Sequence, residues 1–62
     1  MEQLMYRPIE AARVLGMGRT AIFALIKSGR LQSVKLGGAR FITAKALTEY
    51  VAMLEAEARK AA

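Results

Sequence analysis

PIEAARVLGMGRTAIFALIKSG, residues 8–29, decides the fold of the chain. It divides into a helical segment, a tight turn and a second helical segment. Three residues set that division: Ala12, Gly16 four places on, and Ile22 six beyond that. Where two short helices cross closely, the first needs a small side chain at the contact, and Ala12 is small. The turn needs a residue that accepts positive φ without a clash, and Gly16 does so. The second helix needs a branched apolar side chain to wedge against the first, and Ile22 supplies it. Leu15, Met17 and Leu25 fall where the same packing wants apolar groups. The spacing predicts a helix-turn-helix, although a plain αα-hairpin with no nucleic-acid role has the same outline.

Working outward, Pro8 suits the first position of a helix over residues 8–15, where its missing N–H is not needed. Arg7 before it is a poor N-cap, so this end is expected to be weakly closed. Ile9, Ala12 and Leu15 fall on one face, with Glu10 and Arg13 solvated. Residues 1–7 read as a lead-in: Leu4 or Tyr6 packs beside the first helix, and Met1 to Gln3 are loose. After the turn, Gly18 is the N-cap of a helix over residues 19–28, and Gly29 stops it. Ile22, Leu25 and Ile26 form its inward stripe. Thr20, Ala24 and Lys27 point the other way, with Phe23 on the flank.

Residues 31–43, LQSVKLGGARFIT, alternate in polarity on both sides of Gly37-Gly38. Two glycines can take positive φ at both central positions of a two-residue hairpin turn, so this is a short β-hairpin, or wing. An isolated hairpin is marginal in water, which predicts that Val34, Leu36 and Phe41 or Ile42 pack on the helices. Thr43 is a good N-cap for a last helix over about 44–59, fraying past Ala58. Its inward stripe reads Leu47, Tyr50, Val51 and Leu54.

The fold class is therefore mainly α with a small β-hairpin, a winged helix-turn-helix in the order α-α-β-β-α. A chain of 62 residues holds one domain, residues 1–62, with an ordered core over about 6–58. It contains no Cys and no His, which removes disulfides and the usual ligands of transition metals. Enzyme chemistry lacks its usual base and nucleophile for the same reason, and Glu55 and Glu57 do not share a helix face. Gly16-x-Gly18-x-x-Ala21 follows a helix, not the strand that a dinucleotide fingerprint requires. No catalytic residue, metal or cofactor is expected. The N-terminus shows no leader pattern, and the apolar run from Ala21 to Ile26 is too short to span a bilayer, so a cytoplasmic protein without a membrane partner is expected.

Charge points to the partner. The net charge is +5, and residues 7–45 hold eight Lys or Arg against Glu10 alone, a local +7. Residues 46–62 carry three Glu against Arg59 and Lys60, a local −1. The excess sits on the helix-turn-helix and the wing, as it would for a polyanion.

EAARVLGMGRTAIFALIKSGRLQSVKLGGARFIT closely resembles excisionase-type domains, small winged helix-turn-helix proteins related to the DNA-binding part of MerR-like regulators. Glu10-Ala11-Ala12, Leu15-Gly16, Arg19-Thr20, Leu25-Ile26-Lys27-Ser28-Gly29 and Leu36-Gly37-Gly38-Ala39-Arg40 follow the family pattern in order and spacing. The resemblance implies double-stranded DNA as partner, and for phage and mobile-element members the role of recombination directionality factor. Such proteins bind repeated sites, bend the DNA and turn a tyrosine integrase toward excision. Others of the family regulate transcription. Gly18 stands where a capping Ser is frequent, Phe23 where a Tyr is, and Ala24 where a basic residue is. Each change removes a polar contact from the second helix.

Candidate DNA-binding residues are Gly18, Arg19, Thr20, Phe23, Lys27, Lys35 and Arg40. A helix entering the major groove reads bases near its N-terminus. Arg19 there is suited to guanine or to a phosphate, and Thr20 to a base or a phosphate. Phe23 suits a thymine methyl, the sugar backbone or packing against the wing. Lys27 suits a phosphate, and the backbone N–H groups that follow Gly18 face one too. Lys35 and Arg40 belong to the wing, with Arg40 just past the tip and placed for the minor groove. A module this small buries only ~600–1,000 Å² on DNA, so self-association on repeated sites is expected. Two other roles fit the same residues: a small transcription regulator, and a protein-interaction or membrane-surface module that uses Ala46 and Met53 as an apolar patch off the main stripe.

Overall fold

The computed structural model describes residues 3–61. The elements are β1 (Met5–Tyr6), α1 (Pro8–Leu15), α2 (Arg19–Ser28), β2 (Val34–Leu36), β3 (Ala39–Thr43) and α3 (Ala44–Ala61). The fold is a mainly α winged helix-turn-helix, and its antiparallel sheet has the order β1-β3-β2.

Both helices of the expected pair form with the expected bounds, and each ends on a glycine with positive φ, Gly16 at 74° and Gly29 at 83°. At the first of these, the Gly16 N–H donates to the Arg13 carbonyl and the Met17 N–H to the Ala12 carbonyl. These bonds satisfy the last orphan acceptors of α1. The start of α1 is better closed than Arg7 suggests. Arg7 is extended, and its backbone N–H donates to the Glu10 carboxylate at 2.9 Å. Glu10 thus serves as half of a capping box although its side chain lies in solvent. Ala11, Ala12 and Ile22 are buried, whereas Ile9 is 40% exposed. The close crossing of α1 and α2 selects the alanines for the contact and moves Ile9 to the rim. At the end of α2 the chain reverses through Gly29, and the Leu31 N–H donates to the Leu25 carbonyl. That reversal returns Leu31 to the core, 1% exposed.

The lead-in is more ordered than its sequence suggests. Met5 and Tyr6 pair with Thr43 and Ile42, making β1 the outer strand beside β3. Tyr6 packs against the core, while Leu4 is exposed and contributes only its carbonyl, which accepts from the Ala44 N–H at 2.8 Å. Met1 and Glu2, expected to be loose, lie outside the described residues, as does Ala62; Gln3 donates from Nε2 to the Met5 carbonyl.

Gly37 and Gly38 both take positive φ, 58° and 84°, and Leu36 faces Ala39 across the two-residue turn, as expected. The packing of the hairpin differs from expectation. Val34 pairs with Phe41 and Leu36 with Ala39, so these four share the sheet face opposite to Ile42. Ile42 is fully buried, which leaves Val34 and Leu36 44% and 60% exposed instead of packed on the helices. The hairpin is anchored through β3 alone.

Thr43 caps α3 as expected, its Oγ1 accepting from the Ala46 N–H at 3.0 Å. The helix then runs to Ala61, past the expected end near residue 59. Late in it, both Glu57 carboxylate oxygens accept from Arg30 Nη2 at 3.0 Å, tying α3 to the segment after α2. The buried face is Ala46, Leu47 and Tyr50, with Met53 packed beside them; Val51 and Leu54 are exposed. Relative to the expected stripe the buried face is turned by about 60°, with Leu47 and Tyr50 common to both. Both stripes have helical period, and the small Ala46 is the one that lets α3 approach β3. Ala46 and Met53 are therefore core and not a partner patch. Val51, with Val14, Leu15, Leu47, Thr48, Ala52 and Glu55, instead lines an open groove of about 400 Å³ between α1 and α3. Among the described residues, no helix is long and apolar enough to cross a membrane.

Candidate nucleic-acid interface

The second helix builds the interface from its own period. With Ile22 buried and Leu25 and Ile26 packed on the core, the remaining outer positions follow from 100° per residue. Arg19, Thr20, Phe23, Ala24 and Lys27 are all exposed and fall within one arc of about 140° on α2. Four of the seven candidate residues thus share a single face opposite the packed one. Gly18 precedes them in extended conformation and provides no side-chain cap, so its N-terminal N–H groups carry no competing side-chain acceptor.

Arg19 and Phe23 form a pair. The Arg19 guanidinium lies 5.8 Å from the centroid of the Phe23 ring, as i and i+4 spacing allows. The contact holds a long cation beside an aromatic ring at the start of the helix. Phe23 is 42% exposed. Lys27 stands in the last turn of the same face.

The wing holds the other two cations. Lys35 and Arg40 are direct partners in the β2–β3 ladder and both are exposed. They lie on the face that carries Ile42, one pair in from the turn. Arg40 does not extend off the tip: its Nη1 donates to Ser33 Oγ at 3.0 Å, so the side chain lies back along the hairpin. Like charges facing each other across a ladder are unfavourable, and an anion between them removes that cost. Ser33 was not foreseen as part of this cluster. The alternation of Ser33 with Lys35 across β2 is the signal that could have found it.

Arg7 is a cation that the sequence did not single out for the interface. Its guanidinium lies 5.4 Å from the centroid of the Phe41 ring. Arg30 is engaged with Glu57, the one ion pair among the described residues. Among those residues, no three acidic side chains gather at one place to hold a metal.

Comparison with known proteins agrees with this geometry. A family model described as a helix-turn-helix domain matches residues 5–54. Over 48 residues, 77% of the chain, the sequence is 46% identical to a protein of Saccharopolyspora erythraea named probable excisionase. The chain spans about half the length of that relative, the matched part being 49% of it. No solved structure matches the chain. The family match runs from β1 through all of α1, α2 and the hairpin into α3, and the chain belongs to the helix-turn-helix domain family.

Proposed function

We propose that this chain is a sequence-specific double-stranded DNA-binding protein that acts as an excisionase. The observation that carries the proposal is the exposed face of α2, where Arg19, Thr20, Phe23 and Lys27 lie together. That face enters the major groove, with Gly18 bringing backbone N–H groups to a phosphate. Arg19, steadied by Phe23, makes the base contact, and Lys27 meets the backbone. Lys35 and Arg40 bring the wing to the adjacent minor groove, where a narrow groove concentrates negative potential. The local +7 over residues 7–45 supplies the non-specific part of the affinity.

The likeness to a probable excisionase supports the biological role. Copies bind side by side on repeated sites in the cytoplasm, bend the duplex and direct a tyrosine integrase toward excision. The test is an excision reaction in vitro with a neighbouring integrase, with and without this chain. Excision that depends on the chain and is lost with Arg19→Ala supports the role. Excision that proceeds equally without it, with transcription nearby altered by its loss, indicates a transcription regulator instead. In DNA binding, Arg19→Ala weakens specific sites more than random duplex. Arg40→Ala weakens both and lowers the salt slope by about one unit.

A further inference from the structure

We infer that Arg7, lying over the Phe41 ring, is a further contact to the DNA backbone, so that the sheet bearing the wing carries a phosphate-binding cation on each of its two faces. The inference rests on the DNA-binding function proposed above and adds to it a residue and an orientation.

Register places the two groups. β1 pairs with β3 as Met5 with Thr43 and Tyr6 with Ile42. Continuing that ladder by one residue sets Arg7 beside Phe41, and the guanidinium lies 5.4 Å from the ring centroid. Arg40 and Phe41 are neighbours on β3, so their side chains leave the sheet on opposite faces. Arg40, with its partner Lys35 and with Ser33, is on the face of Ile42. Arg7 is on the other, with Phe41 and Val34. A hairpin entering a groove edge-on has a phosphate strand to either side, and a minor groove is only about 6 Å wide. Cations on both faces match both walls.

The pairing suits the task chemically. A guanidinium lying over an aromatic ring keeps its N–H edge free, and that edge fits two phosphate oxygens at once. The chain has two phenylalanines, and each lies beneath an arginine: Phe23 under Arg19 and Phe41 under Arg7. The pairing at the recognition helix is thus repeated on the sheet. Glu10, the nearest acid in sequence on α1, is engaged by the backbone N–H of Arg7 itself. A positioned side chain loses less rotamer freedom on meeting its partner than a free one does.

The test is the binding of the whole chain to a duplex between about 50 and 200 mM salt, with thermal melts to establish that each variant folds. Arg7→Ala is expected to weaken binding about three- to ten-fold and to lower the salt slope by about one unit. Phe41→Leu keeps the charge and loses the ring, so affinity falls about two- to three-fold at unchanged slope. Arg59→Ala, far along α3, changes neither. Should Arg7→Ala fail to fold, Arg7→Lys replaces it: slope retained, affinity reduced about two-fold or more. Arg7→Ala or Arg7→Lys matching the unaltered chain, while Arg40→Ala loses affinity and slope, overturns this inference and leaves DNA binding standing. No duplex binding by the unaltered chain overturns both. Finally, Arg7 side-chain NMR signals that shift equally with inorganic phosphate and with duplex, at matched phosphate concentration, overturn the duplex contact in favour of a general anion site.

Discussion

The helix pair and the wing are ordered by different means. In the pair, α1 and α2 close on Ala11, Ala12, Ile22 and Leu31, all buried, and both helices end on a left-handed glycine. Volume and close packing set their crossing. In the wing, every residue of β2 is exposed, and only Ile42 of the neighbouring strand is fully buried. Backbone pairing and two glycines set its shape. The difference teaches that the proposed reading helix is positioned by the core, whereas the wing is positioned by a local turn and one apolar anchor. A segment with few buried contacts opens at lower free energy than the domain as a whole. The wing is therefore the part that, in the proposed complex, adjusts its angle to a groove.

That contrast can be broken at four places, and the largest effect is at its rigid side. Ile22→Ala leaves a cavity where α1 and α2 cross and is expected to cost about 2–5 kcal/mol in urea unfolding. A loss below about 1 kcal/mol would mean that the crossing is not set by packing. Next comes Gly38→Ala. An added Cβ meets nothing within 4 Å, so the cost arises from the backbone at φ +84° alone, about 1–3 kcal/mol. Hydrogen exchange is expected to speed up in β2 and β3 more than in α2; equal acceleration would join the two regions into one unit. Thr43→Ala removes the cap that begins α3 and costs about 1 kcal/mol by thermal melt. Because Thr43 also ends β3, its loss reports on the junction between wing and helix. The smallest effect is that of Leu36→Ser, within about 0.5 kcal/mol, since Leu36 is already 60% exposed. A loss as large as that of Ile22→Ala would show the outer sheet face to be covered.

Much of the fold was legible in the order of residues, for local reasons. Gly16, Gly29, Gly37 and Gly38 each stand where the backbone takes positive φ, and a glycine there announces a stop or a turn without help from the rest of the chain. Thr43 as N-cap is equally local. Errors gathered where two patterns were equally periodic or where a segment was too short to have a pattern. On α3 the stripes through Leu47 and Tyr50 could include either Val51 and Leu54 or Ala46 and Met53, and only the approach to β3 selects the second. Met5 and Tyr6 make a two-residue strand, too brief for alternation to register. On the candidate interface, the single face shared by Arg19, Thr20, Phe23 and Lys27 follows from helical period. Arg40 turning toward Ser33 does not, because that bond joins residues seven apart across a hairpin.

The sequence by itself determined where the first two helices start and stop, where the last one begins, where the hairpin turns, and that positive charge gathers over residues 7–45. These are matters of dihedral freedom, capping and composition, each decided within a few neighbouring residues. Only the tertiary structure decided which face of α3 is inside, that β1 completes the sheet, and that Arg7 comes to lie on Phe41. Those outcomes depend on contacts between residues distant in the chain, where burial of one apolar side chain excludes another from the same space.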